Sequence, residues 1–140
     1  MSQRHIRYRS GYKYQLSEDH VDMVGVLPES LIVTEYITLD VDGEITLRRG
    51  YAWDGPSGPT FDTPNFMRGS LVHDALYQLM RLGELDRHQW RPVADLEMRR
   101  MCREDGMWSV RAWWLYQGVK RFGNPAASPE SRKVVQTAPR

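Results

Sequence analysis

The sequence holds a single cysteine, Cys102, in 140 residues. An intrachain disulfide framework and a cysteine-rich zinc site are thereby excluded, and a reducing, intracellular setting fits. No stretch comes near the roughly 18 consecutive apolar residues of a membrane-spanning helix, and no apolar segment follows the charges between Met1 and Ser10. Neither a transmembrane span nor a secretory leader is expected. Three catalytic signatures are also missing: the Gly-x-x-x-x-Gly-Lys-Ser/Thr phosphate loop, the Gly-x-Ser-x-Gly elbow and the His-Glu-x-x-His helix. Ser57, within Gly-Pro-Ser-Gly-Pro, lacks the strand-to-helix context of a nucleophile.

Charge of one sign is missing from two long segments. Residues 1–14 carry four bases and no acid, while 15–46 carry eight acids and no Lys or Arg. The whole chain nets +1. That balance offers no concentrated basic face, and the acidic third would repel a phosphate backbone, so no nucleic-acid partner is expected. What remains is an ordinary globular composition, 41% hydrophobic and 26% charged, in a length suited to one domain.

The pattern along the chain predicts an α+β fold. A single domain is expected over residues 1–123, with strands in 1–49, a Gly/Pro loop in 50–64 and three helices in 65–123; residues 124–140 read as a flexible tail. Leu31 to Leu39, rich in β-branched residues, reads as one long strand of a small antiparallel sheet, with an earlier strand near Tyr12 to Leu16. Alternating Ile37, Leu39, Val41 and Ile45, Leu47 flank Asp42-Gly43, a pair suited to a tight primed hairpin turn. Gly50 to Pro64 then packs three Gly and three Pro into 15 residues. Such a run forbids regular structure over most of its length and marks a functional loop.

Thr63-Pro64 supplies an N-cap and a first-position proline for the first helix. Its stripe of Leu71, Ala75, Leu76, Leu79 and Leu82 stops at Gly83. Asp86 caps the second helix, which runs to Gly106, with Pro92 placed in its first turn. The third runs from about Met107 to Phe122, with Trp108, Ala112, Leu115, Val119 and Phe122 at core spacing. Trp108, Trp113, Trp114 and Tyr116 are more aromatic surface than one helix needs, so part of the group is expected at an interface with a partner or membrane. Cys102 reads as a small core hydrophobe. His5, His20 and His88, in polar contexts, read as surface residues.

The residues that could carry chemistry centre on Leu71-Val-His-Asp-Ala-Leu-Tyr77. His73 and Tyr77, four apart, share a helix face. A short connection makes the next helix antiparallel, which lets Asp95 approach both. A carboxylate accepting from one imidazole nitrogen fixes the tautomer and leaves the other nitrogen to take a proton. Asp74 remains as a charge near the mouth of such a site. Asp54 and the backbone carbonyls of Gly55 and Gly58 add the hard oxygen donors that calcium selects. The same residues can equally form a buried polar network that locks two helices together.

Taken together, Gly50-Tyr-Ala-Trp-Asp-Gly-Pro-Ser-Gly-Pro59, Leu71-Val-His-Asp-Ala-Leu-Tyr-Gln78, Ala94-Asp95 and Tyr116-Gln-Gly-Val-Lys-Arg-Phe-Gly123 resemble a family of small phage and prophage proteins, a domain of unknown function. The resemblance implies a viral origin, a location in host cytoplasm or virion, and other virion proteins as partners. The order of Gly-rich loop, His-Asp-x-x-Tyr and a later helical Asp is also similar to the secreted phospholipases A2, above all the short bacterial ones. That resemblance implies His73 as the base, Tyr77 and Asp95 as its orienters, Asp74 with Gly55 and Gly58 on calcium, and an ester in lipid or cell envelope as substrate. The chain departs from that family in having Val72 and Leu76 where the family's helix cysteines stand. Two readings stay open: a calcium-assisted hydrolase, and a non-catalytic virion or assembly protein.

Overall fold

A computed structural model describes residues 8–9, 14–53 and 64–122. Two compact units divide them, one on the N-terminal side of Asp62 and one from Asp62 onward. The first is β and the second α, so the class is α+β.

The N-terminal unit holds two antiparallel sheets. Strands β1 (Tyr8–Arg9), β2 (Tyr14–Leu16) and β7 (Ala52–Trp53) form one, in the order β1-β2-β7. Strands β3 (His20–Met23), β4 (Ile32–Val33), β5 (Ile37–Leu39) and β6 (Glu44–Leu47) form the other, in the order β3-β6-β5-β4. Registers of His20 and Ile37 against Leu47, and of Asp22 and Leu39 against Ile45, put these six side chains on one face. All six are buried. Alternation thus works as expected from the strand period, with two polar residues carried inward by it.

Three local expectations need correction. Leu31 to Leu39 is not one strand but a hairpin, β4 paired with β5. Thr34 explains the bend: its hydroxyl accepts from Ile37 N at 3.0 Å and its own N–H donates to Ile37 O at 2.8 Å. A side chain that bonds the nearby backbone in this way competes with the ladder. The Asp42-Gly43 hairpin is present between β5 and β6, yet its turn is not a two-residue primed one. Gly43 N bonds Asp40 O and Asp40 N bonds Glu44 O, which leaves three loop residues. Only Gly43 takes positive φ, at 91°, as in a type I turn followed by a glycine bulge. Lastly, the start of the Gly/Pro stretch is ordered as β7, because Ala52 and Trp53 pair with Gln15 and Tyr14.

The second unit is three helices: α1 (Pro64–Arg81), α2 (Arg87–Glu104) and α3 (Ser109–Phe122). Pro64 opens α1, where its missing N–H costs nothing. At the far end Gly83 sits at φ 79°, with Gly83 N on Met80 O and Glu84 N on Leu79 O. That pair of bonds is a Schellman cap, which satisfies two orphan carbonyls. Asp86 caps α2 through His88 N. A second Schellman pair closes α2, Gly106 N on Arg103 O and Met107 N on Cys102 O. Pro92 lies in the second turn of α2 rather than the first. It is tolerated because Pro92 and His88, whose carbonyl loses its partner, are both exposed to water.

Ala94, Asp95, Met98, Met101 and Cys102 are the buried positions of α2, at helical spacing. Gly69 of α1 makes the close approach possible: a Cβ there would lie 3.0 Å from Cys102 Sγ and 3.2 Å from Met98 O. Phe66, Met98, Cys102, Met107 and Ala112 form one core, with Leu115 and Val119 against it. Each Phe or Met side chain among them contributes about 1.5–3 kcal/mol on removal from water. Trp108, given a core-type position by spacing alone, is exposed. No helix among the described residues is long and apolar enough to cross a membrane.

Candidate functional site

The antiparallel α1–α2 pair brings three sequence-predicted residues together. His73 Nε2 lies 2.8 Å from Asp95 Oδ1, and the Tyr77 hydroxyl donates to the same oxygen at 2.7 Å. The His73 and Tyr77 rings, one helical turn apart, stack with centroids 4.2 Å apart. Asp95 is 1% exposed and His73 8%. A buried carboxylate demands donors. The imidazole therefore carries its proton on Nε2, toward Asp95, and Nδ1 is the basic nitrogen.

That second nitrogen makes no hydrogen bond among the described residues. The one fully buried, unpartnered side-chain nitrogen among them is His20 Nδ1. His73 Nδ1, outside the bond to Asp95, is the atom a general base needs.

Arg91, which the sequence reading did not single out, completes the network. Its Nε donates to the Tyr77 oxygen at 3.2 Å, and its Nη2 donates to the carbonyls of Val119, at 2.9 Å, and Lys120. A guanidinium here both caps the last turn of α3 and holds the phenol. Its position four residues before Asp95 on α2 was the available signal. Burial first, then the Asp95 carboxylate, raises the Tyr77 phenol well above its ordinary value. Tyr77 is therefore a fixed hydrogen-bond donor, not a proton acceptor.

Asp74, next to His73 on α1, is half-buried. Asp54, Gly55 and Gly58, the other expected calcium ligands, lie outside the described residues. No group of three or more metal-ligating side chains occurs among the described residues. Arg99 does not pair with Asp95; its guanidinium lies over the Tyr116 ring, 5.4 Å from the centroid.

Two further buried polar groups escaped the sequence reading. His20, expected at the surface, is 1% exposed, with Nε2 3.1 Å from Asp22 Oδ2. Their spacing of two on a strand, opposite Leu47 and Ile45, was the sign that both face inward. Arg68 is buried on α1 and pairs with Glu104 and Asp105, each at 3.1 Å. Nothing in its local pattern announced this. Comparison with protein-family models, curated proteins and solved structures finds no match.

Proposed function

We propose that the protein is a phage-encoded hydrolase that cleaves an ester in lipid or another cell-envelope component, with His73 as general base. The observation that supports this is the imidazole anchored on Asp95 at 2.8 Å through Nε2, which leaves Nδ1 outside that bond. His73 Nδ1 takes a proton from water as its oxygen adds to the ester carbonyl carbon. The carbon–oxygen bond to the leaving alcohol then breaks, and the imidazolium returns its proton to that alcohol. Asp95 stabilises the imidazolium, and Tyr77 with Arg91 holds Asp95 in place. Calcium, expected on Asp74, would supply polarisation of the ester carbonyl; a carboxylate is a hard oxygen donor of the kind that ion takes.

The test is acid release from phospholipid vesicles and from a soluble nitrophenyl ester, with calcium or with chelator. Release well above the His73→Gln background supports the reading; none from either substrate overturns it. Calcium should also raise the melting temperature of wild type and not of Asp74→Ala. An unchanged wild type removes the metal from the proposal.

One observation favours a second reading, a non-catalytic virion or assembly protein. The network runs through all three helices, from His73 and Tyr77 through Asp95 and Arg91 to Val119, as a structural lock would. Incorporation into purified particles without any ester cleavage would favour it.

A further inference from the structure

We propose that α3 docks on an anionic lipid surface, lying along it on its tryptophan-bearing side. Fourteen residues make a rod of about 21 Å. At about 100° per residue, Val110, Trp113, Trp114, Gln117, Lys120 and Arg121 fall on one side. The opposite side, Ala112, Leu115 and Val119, faces the core. Trp114 is 66% exposed, Val110 65%, and Trp108, just before the helix, 82%. Trp113 meets Trp114 edge-on, 5.5 Å between ring centroids, so the two indoles act as one apolar block. Indoles with an apolar body and a single N–H donor are matched to the boundary between headgroups and acyl chains.

The charge agrees. Between Ser109 and Phe122 the chain has Arg111, Lys120 and Arg121 and no acid. Lys120 and Arg121 are exposed at the end of the same side that carries the indoles. The acids that precede the helix, Glu104 and Asp105, are engaged by Arg68 and Arg100. An acid-free cationic helix with aromatic anchors fits an anionic leaflet. A second copy would set cations against cations, and a convex helix side offers no groove for a rigid partner. The helix is too short and polar to cross the bilayer, so it lies on it. This inference goes beyond the hydrolase reading and does not rest on it, since binding is read without turnover.

The test is co-sedimentation of the full chain with phosphatidylcholine vesicles, with and without phosphatidylglycerol, alongside the shift in tryptophan fluorescence. Wild type should bind the anionic vesicles with a blue shift, and binding should weaken in high salt. Trp108→Ser with Trp114→Ser should lower partitioning about tenfold or more. Lys120→Gln with Arg121→Gln should lower it about fivefold per cation. All four side chains are exposed, so unchanged melting temperatures verify folding. Failure to bind anionic vesicles, or binding indifferent to the tryptophan substitutions, overturns the proposal. So would a dimer that these substitutions dissolve, which assigns the face to a second copy, or capture of polyglutamate without vesicles, which assigns it to an acidic protein.

Discussion

His73 and Asp95 are 22 residues apart in sequence and meet at 2.8 Å between two antiparallel helices. The contact depends on the tight turn at Gly83, on the N-cap at Asp86 and on the close approach that Gly69 allows. Its energetics and its chemistry can be separated by substitution.

Asp95→Ala strands two buried donors, Tyr77 O–H and His73 Nε2–H, each costing about 1–3 kcal/mol. Asp95→Asn keeps an oxygen where both donors point and forfeits only the charge assistance, about 1 kcal/mol. Urea denaturation should rank them wild type, Asn, Ala in falling stability. Equal losses for the two variants would contradict the shared-oxygen geometry.

Tyr77 should impose an alkaline loss of stability. Its phenol is raised by burial and by Asp95 from an ordinary value of 10.0. The unfolded chain therefore ionises first: the contribution is fully present below about pH 10 and is lost as pH rises toward the folded-state value. The slope approaches about 1.4 kcal/mol per pH unit. Tyr77→Phe should remove this part of the decline when denaturation is followed from pH 9 to 11.

Cys102 should be inert in the native protein. Burial pushes its thiol up to about 12, and it has no exposed surface. Labelling with a thiol reagent near neutral pH should follow unfolding, accelerating in urea in step with loss of helix. Rapid stoichiometric labelling without denaturant would contradict the packing against Met98 and Met107.

Two glycines at positive φ should differ sharply. An Ala Cβ at Gly43 would fall 2.2 Å from the Val24 carbonyl oxygen, whereas at Gly83 it would meet nothing within 4 Å. Gly83→Ala should cost the left-handed penalty alone, about 1–2 kcal/mol. Gly43→Ala must also move backbone and should cost more, read as a larger fall in melting temperature.

The helical half was legible in the sequence because caps and periodicity agree there: Pro64, Gly83, Asp86 and Gly106 stand where the helices begin and end. The His73–Tyr77–Asp95 cluster was legible for the same reason, since spacing on two short-linked helices fixes which faces meet. The β half was less so. Thr34 turns an apparently continuous strand through side-chain hydrogen bonds that no alternation pattern reports. His20 and Asp22 face inward because their strand register, not their polarity, decides. Trp108 has core spacing with the third helix, yet it stands just before that helix begins and is exposed. Arg68 finds its partners at the far end of α2, a contact that leaves no local trace, whereas Arg91 left only its place four residues before Asp95.

The most direct measurement is the rate of acid release from lipid or soluble ester by wild type, Asp95→Asn and His73→Gln, each shown to be folded by its melting curve. A water-activating imidazole oriented by Asp95 predicts a rate for wild type that falls about a hundredfold or more in both variants. Equal rates in all three folded proteins, or none in any, would contradict it and leave His73, Tyr77 and Asp95 as the lock that holds the helices together.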